Sequence, residues 1–288
     1  MIQAMRRFFI DSGYLEIETP LLIPAPAPEC HIDAIRVGDL YLHTSPELCM
    51  KRLLAAGFPR IFQITKCFRS GERGRLHLPE FTLLEWYRSE TDYLGLMEEC
   101  ETMLVSVFET LRIKGEIRYG SHRVNVQPPW KRMTVSEAFE RYGPMSLEEA
   151  LASDRFDELT VRAIEPEMGI DRPAFLMDYP ASLAALARLK PSDPRFAERF
   201  ELYIAGMELA NGFSELNDEE EQRLRFGQEN RKRAAHGKQA YPSPDRFLAA
   251  LGHMPEASGI AVGIDRLVML LTDRTRIDDV IGFTPEEV

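Results

Sequence analysis

Between Phe62 and Tyr87 the chain reads FQITKCFRSGERGRLHLPEFTLLEWY, which is a strand, a basic glycine-containing loop and a second strand. In the second strand Phe81, Leu83, Glu85 and Tyr87 recur at period two, so their side chains share one face. At ~3.3 Å per residue, Phe81 and Tyr87 stand roughly 20 Å apart along that face. That matches an extended amino acid joined to a nucleotide. An aromatic ring sits at one end, a carboxylate and a phenol at the other. Arg69, Arg73, Arg75 and His77, in or beside the loop, are placed to meet phosphates. The pattern suits a ligand with a flat ring, an anionic middle and a cationic tail.

Two further segments carry groups of the same kind. In FELYIAGMELANGFSELND, Glu201 and Glu208 fall on opposite arms of a hairpin expected to turn at Ala205-Gly206. They read either as exposed strand residues or as ligands for Mg²⁺, which takes one or two carboxylates plus phosphate oxygens. Asn211 and Glu215 flank Gly212, which permits a bulge or a close backbone approach. In GIAVGIDRL, Gly259, Ala261 and Gly263 leave one strand face nearly bare, so a ligand can lie against backbone. Arg266 follows at the strand-to-helix junction, where an arginine can stack on a base or hold a phosphate.

The elements that must position these groups are legible from periodicity. Residues 3–12 have helical spacing with Gly13 as a stop. No N-cap residue precedes this helix, so its start either lies upstream or leans on something else. Tyr14 to Thr19 alternates as a strand closed by Pro20, and Pro24, Pro26 and Pro28 stiffen the next loop. A strand at 39–43 leads to Ser45-Pro46-Glu47, an N-cap and helix start. Strands at 61–69 and 80–88 and a helix at 94–111 follow. Residues 115–132 read as a polar break containing Pro128-Pro129, and residues 134–142 and 154–168 as helices. A buried strand at 174–178 and a hairpin of 200–204 with 207–213 come next. A helix capped by Asn217 or Asp218 runs towards Ala235. A small-residue strand at 258–264 ends in a last apolar helix. No internal repeat appears. The expectation is one α+β domain over residues 1–288, with a mainly antiparallel sheet flanked by helices.

Composition narrows the function. Of 288 residues, 44% are hydrophobic, enough for a sizeable core. Apolar runs are too short to span a bilayer and the N-terminus does not read as a signal peptide, so no membrane role and a cytoplasmic location are expected. The four cysteines form no CxxC pair and read as reduced residues. A formal net charge of −11 argues against broad capture of nucleic acid. Arg231, Lys232, Arg233 and Lys238 read either as a local basic patch or, more simply, as a solvated helix end.

Taken together, the helix and strand ending at Pro20, FRSGERGRLHLPEF and GIAVGIDRL resemble the three signature motifs of class II aminoacyl-tRNA synthetases. SPELCMKRLL, PEFTLLEWY and NGFSELND make the likeness strongest to lysyl-tRNA synthetases, over nearly the whole chain. A lysine-like substrate also has a physical basis in the residues, because burying two ammonium groups calls for several carboxylates. Glu47, Glu85 and Glu215, with the Tyr87 phenol, supply them. The likeness begins at residue 1, with no anticodon-binding barrel ahead of it. The chain is therefore similar to the short elongation factor P–(R)-β-lysine ligase family. That family activates β-lysine with ATP and transfers it to a lysine side chain of elongation factor P.

The resemblance implies ATP and Mg²⁺, a homodimer built on the first helix and strand, and no direct tRNA role. It implies catalytic roles for Arg69 and Arg266, with Arg69 on the α-phosphate and substrate carboxylate. Phe81 and Arg266 would sandwich adenine, and His77 would reach the outer phosphates. Ser70, Gly71, Glu72, Leu78, Glu208, Leu209 and Gly263 would complete the ATP site. Glu201 and Glu208 would bind the metal. Ser45, Pro46, Glu47, Glu85, Tyr87, Asn211, Glu215 and Ala261 would hold the amino acid. Two departures stand out. Gly71 replaces the family's usual glutamate, so either Glu72 turns in or backbone reads the adenine edge. Ala261 replaces the glycine of lysyl-tRNA synthetases, and its methyl would narrow the space for an α-amino group. A tRNA-charging core and a non-catalytic binding subunit are the alternative readings.

Overall fold

A computed structural model describes all residues, 1–288. Its centre is an eight-stranded sheet. In chain order the strands are β1 (Leu15–Glu16), β2 (Arg60–Phe68), β3 (Glu80–Ser89), β4 (Lys131–Thr134), β5 (Ala174–Pro180), β6 (Phe196–Ile204), β7 (Met207–Ser214) and β8 (Ala257–Gly263). They lie side by side as β1-β2-β3-β8-β7-β6-β5-β4. The outer pairs β1–β2 and β4–β5 run parallel, and every pair between them is antiparallel. Six helices position the site: α1 (Ile2–Asp11), α2 (Glu47–Ala55), α3 (Tyr93–Thr110), α4 (Glu219–Ala235), α5 (Asp245–Leu251) and α6 (Ile264–Thr272). The architecture is α+β, as the strand pattern implied. No helix is long and apolar enough to cross a membrane.

Strand alternation divides the sheet into two unlike faces. Leu84 and Trp86 of β3, Ile260 and Val262 of β8, and Phe200 and Leu202 of β6 pack into one core. They meet Phe9 of α1, Cys100 and Leu104 of α3, and Leu267 and Leu270 of α6. Each such side chain, fully buried, stabilises the fold by about 1.5–3 kcal/mol. The residues out of phase, Phe81, Leu83, Glu85 and Tyr87 on β3 with Gly259, Ala261 and Gly263 on β8, turn to the other face. There α2, α4 and α5 pack together through Leu48, Phe226, Phe247 and Leu248. The second face is thus walled but left charged.

Several expected elements differ in extent. β1 holds only Leu15–Glu16, although the Ile17 amide still donates to the Phe62 carbonyl at 3.0 Å. Thr19 instead donates its hydroxyl to Gln63 at 3.0 Å, so a side chain takes over where the ladder stops. The stretch read as a polar break folds into a hairpin, Glu116–Tyr119 with His122–Asn125, plus β4. The helix expected over 154–168 breaks into Phe156–Leu159, a wide turn at Thr160–Ile164 and a tight one at Glu165–Glu167, where Pro166 lacks an amide donor. Asp218 caps α4 by accepting from the Glu221 amide. Arg231 and Lys232 are exposed at the helix end as expected, but Arg233 and Lys238 are not fully solvated. Arg233 is buried, donates to the Glu29 and Ile32 carbonyls at 2.8 and 3.0 Å, and stacks on Tyr241 at 3.9 Å. Lys238 donates to the Cys30 carbonyl at 2.9 Å. Together they pin the proline-rich loop over the charged face.

Candidate active site

A cavity of about 390 Å³ opens on that face, a size suited to a small-molecule ligand. Strand register sets its floor in two rows. Glu85 of β3 stands opposite Ala261 of β8, Ala261 opposite Asn211 of β7, and Asn211 opposite Glu201 of β6. Two residues along, Tyr87, Gly259, Phe213 and Arg199 form the second row. With strands ~4.8 Å apart, each row spans roughly 14 Å. Gly259 cannot carry a side chain, since a Cβ there would lie 2.2 Å from the Tyr87 ring. At Gly263 a Cβ would make ordinary contacts.

Glu208 reaches the same face through a bulge. Glu201 pairs with Asn211 and Tyr203 with Glu208, so a two-residue step on β6 answers a three-residue step on β7. A regular pleat would send Glu208 and Asn211 to opposite faces. Glu201 accepts from Arg199 at 2.5 Å and from the Tyr203 hydroxyl at 2.6 Å, while Glu208 accepts from Arg266 at 3.2 Å. Glu165 belongs to this group too. Burial, then Glu208 and Glu201, push its carboxyl up to about 7. Such mutual repulsion is what a cation would relieve. Two carboxylates on one wall fit a Mg²⁺ whose remaining ligands are phosphate oxygens, and no set of three or more His, Cys, Asp or Glu side chains is arranged to hold a metal alone.

The loop between β2 and β3 supplies the other wall. Arg69 lies 5.0 Å above the Phe81 ring and 3.8 Å from Glu72, and its Nε is buried without an acceptor. Gly71 adopts φ +78° in an exposed turn, and it is Glu72 that lines the cavity. Ser70 also falls outside the lining: it is exposed, and its amide donates to the Asp33 carbonyl at 2.6 Å. His77 accepts from Arg266 at 2.7 Å. An arginine can only donate, so this His77 nitrogen is unprotonated. Burial and the Arg266 charge accordingly lower its pKa. Leu78, Leu209 and Gly263 complete this end.

The opposite end is dry and acidic. Glu85 is 1% exposed and accepts from the Ser45 hydroxyl at 2.7 Å and the Tyr87 hydroxyl at 3.1 Å. Pro46 takes the cap position expected of Ser45 and lies buried outside the cavity lining. Ser45 therefore accepts from the Glu47 amide at 3.0 Å while serving Glu85. Burial, reinforced by Glu47, pushes the Glu85 carboxyl up to about 8. Glu215 lies just beneath the lining. Burial pushes it up to about 8 against the opposing Lys51 charge, and the space over Gly259 is bounded by its Oε1 and by the Tyr87 ring.

Reading the sequence missed Glu29, Arg199 and Lys51. Glu29 enters the cavity from the proline-rich loop, where no periodicity marks it. Arg199 precedes Glu201 by two residues, so period two would have found it. Lys51 follows Glu47 by four on α2, the spacing of a helical ion pair.

Comparison with known proteins gives the family. The model of the class II tRNA synthetases for D, K and N matches residues 1–287. A protein of Erwinia tasmaniensis named elongation factor P–(R)-β-lysine ligase is 42% identical, over 97% of this chain and 91% of its own length. Proteins of the same name from Pectobacterium atrosepticum and Klebsiella pneumoniae are 42% and 41% identical, over 99% and 97% of this chain and 93% and 91% of their own. A cavity acidic at one end and arginine-lined at the other, on a mainly antiparallel sheet matched from end to end, leaves one conclusion: this chain belongs to the class II tRNA synthetase family, in the group of the elongation factor P–(R)-β-lysine ligases.

Proposed function

We propose that the chain activates (R)-β-lysine, or lysine, with ATP to form an aminoacyl-adenylate and transfers the aminoacyl group to a lysine side chain of elongation factor P. One observation carries this reading. Glu47, Glu85 and the Glu215 carboxylate beneath them gather at one end of a cavity whose other end presents Arg69, Arg266 and Phe81. A doubly cationic amino acid fits the first end and a nucleotide the second.

Ser45, Glu47, Tyr87, Asn211 and Glu215 hold the amino acid, with Ala261 as a wall that favours an amino group on the β-carbon. Arg69 meets the substrate carboxylate and the α-phosphate, Phe81 and Arg266 hold adenine, and His77 faces the outer phosphates. Glu208 and Glu201 hold Mg²⁺, which neutralises phosphate charge when bound. The carboxylate oxygen attacks the α-phosphorus, the bond to the bridging oxygen breaks, and pyrophosphate leaves. Arg69 stabilises the charge that builds up. The acceptor amine then attacks the mixed anhydride, forming an amide and releasing AMP. Exposed apolar side chains support a homodimer: six of the thirteen large ones, among them Ile10, Leu15 and Leu22, fall in the first forty residues. A cytoplasmic site of action goes with this substrate.

The test is ATP–pyrophosphate exchange with α- and β-lysine side by side, followed by transfer of labelled product to elongation factor P or to tRNA. Exchange with a lysine isomer and label on the protein are expected. Label on tRNA alone, or no exchange at all, would overturn the reading.

A further inference from the structure

Behind the acidic end of the cavity lies a cation that belongs to the protein. Lys51 of α2 is 1% exposed. Its Nζ donates to Glu47 Oε1 at 2.6 Å, touches Glu215 Oε2, and sits 4.9 Å from the centre of the Phe213 ring. No backbone carbonyl and no hydroxyl shares it. A buried ammonium survives only among carboxylates, and these are the carboxylates proposed to grip the substrate. The other charged or titratable groups facing this point are Glu85 and Tyr87 of β3 and Glu29 of the proline-rich loop.

We infer that Lys51 is a specificity-determining residue, which sets the charge of the Glu47–Glu85–Glu215 cluster to that of a dication and keeps Glu47 and Glu215 aimed at it. This rests on the proposed lysine-like substrate. Once the substrate amines have displaced the protons on Glu85 and Glu215, three carboxylates and one fixed ammonium leave two negative charges, one for each substrate amine. With Lys51 removed, Glu47 and Glu215 lose the ammonium that keeps them in place, so Glu215 takes a proton more readily and neither stays aimed at a substrate amine. With Glu215 removed the cluster holds a surplus cation, and a monoamine becomes the matched ligand. Helping the fold alone would instead make the two losses independent. Lys51 touches no reacting atom in this arrangement, and it acts through Glu47 and Glu215.

The experiment is a double-mutant cycle on the intact chain, read by pyrophosphate exchange. Lys51→Met and Glu215→Gln are each expected to raise the KM for β-lysine by at least about thirtyfold, while kcat and the KM for ATP stay within about threefold. The double variant restores the charge match and keeps an acceptor oxygen at position 215, so its KM should return to within about tenfold of wild type. In Lys51→Met the fall of KM with rising pH should also move to higher pH. Unchanged KM in Lys51→Met, or a double variant no better than the worse single one, overturns the inference. If the Lys51 variants do not fold, Glu215→Gln decides alone. Its preference for 6-aminohexanoate over lysine should rise at least about tenfold, and an unchanged preference overturns the inference. Failure of the wild type to exchange with any lysine isomer would strike the proposed function instead.

Discussion

The two ends of the cavity are built on different electrostatic plans. At the amino-acid end Glu85, Glu215, Tyr87 and Lys51 are all 3% exposed or less. Burial dominates the titration of Glu85, Glu215 and Tyr87, while Glu215 and Glu47 hold the Lys51 ammonium charged against it. At the nucleotide end most charged side chains keep water: Arg69 and Glu72 are each 27% exposed and Glu208 is 38% exposed, although Glu201 is buried beside Arg199. There every cation already has a carboxylate or imidazole beside it. Buried carboxylates store repulsion that only a matched cation releases, whereas half-exposed pairs exchange partners at little cost. The acidic end is therefore expected to set selectivity and pH dependence, and the arginine-lined end to set rate.

The largest effect that would break this contrast lies at the open end. Arg69→Ala is expected to lower pyrophosphate exchange by at least about a thousandfold, since it removes charge stabilisation at the phosphate, with little change in Tm. Near-normal exchange would remove Arg69 from the chemistry.

At the dry end the sharpest probe is pH. Glu85 and Glu215 are both held near 8 in the free chain, so they carry protons at pH 6 that an incoming ammonium must displace. The KM for β-lysine should fall at least about tenfold between pH 6 and pH 8 and then level. The same raised values favour the free fold at low pH. That stability is fully present below the ordinary carboxylate range and is lost as pH rises through about 8. Lysine should restore it, so the ligand-induced rise in Tm should be larger at pH 8.5 than at pH 6. A flat KM profile would mean the acidic end is not the amine site.

A smaller effect belongs to the floor. Ala261 lines the cavity between Glu85 and Asn211. Ala261→Gly should improve α-lysine relative to β-lysine by about tenfold in kcat/KM, the scale of one pocket methyl, and an unaltered ratio would discard the steric role. The smallest effect is expected at the loop. Arg73 bonds Asp278 at 2.9 Å and Glu286 at 2.9 Å, pairs on the protein surface. Arg73→Ala should change the KM for ATP by no more than about threefold.

Much of this was open to reading before any coordinates. The period-two run from Phe81 to Tyr87 and the turn at Ala205-Gly206 place side chains by local geometry alone, because a pleated strand leaves no choice of face. The hairpin at Glu116–Tyr119 was missed because its arms are only four residues long, too short for the alternation of Ile117 and Tyr119 with Glu116 and Arg118 to stand out. Glu29 was missed because a proline-rich loop has no period. The placement at Gly71 is a local matter: a left-handed turn takes Gly71 out to solvent and leaves Glu72 facing Arg69.

The chain by itself therefore determined most of the strands, the two-faced sheet and the identity of most charged groups, since these follow from nearest-neighbour sterics and burial of apolar surface. Only the tertiary structure decided which charges meet. The bulge that turns Glu208 towards Glu201 depends on how two strands pair. The burial that raises Glu85 and Glu215 depends on α2, α4 and the proline-rich loop closing over the sheet. So does the meeting of Lys51 with Glu215, 164 residues further along. Coulomb energy depends on distance through space and on excluded water, and neither is written along the chain.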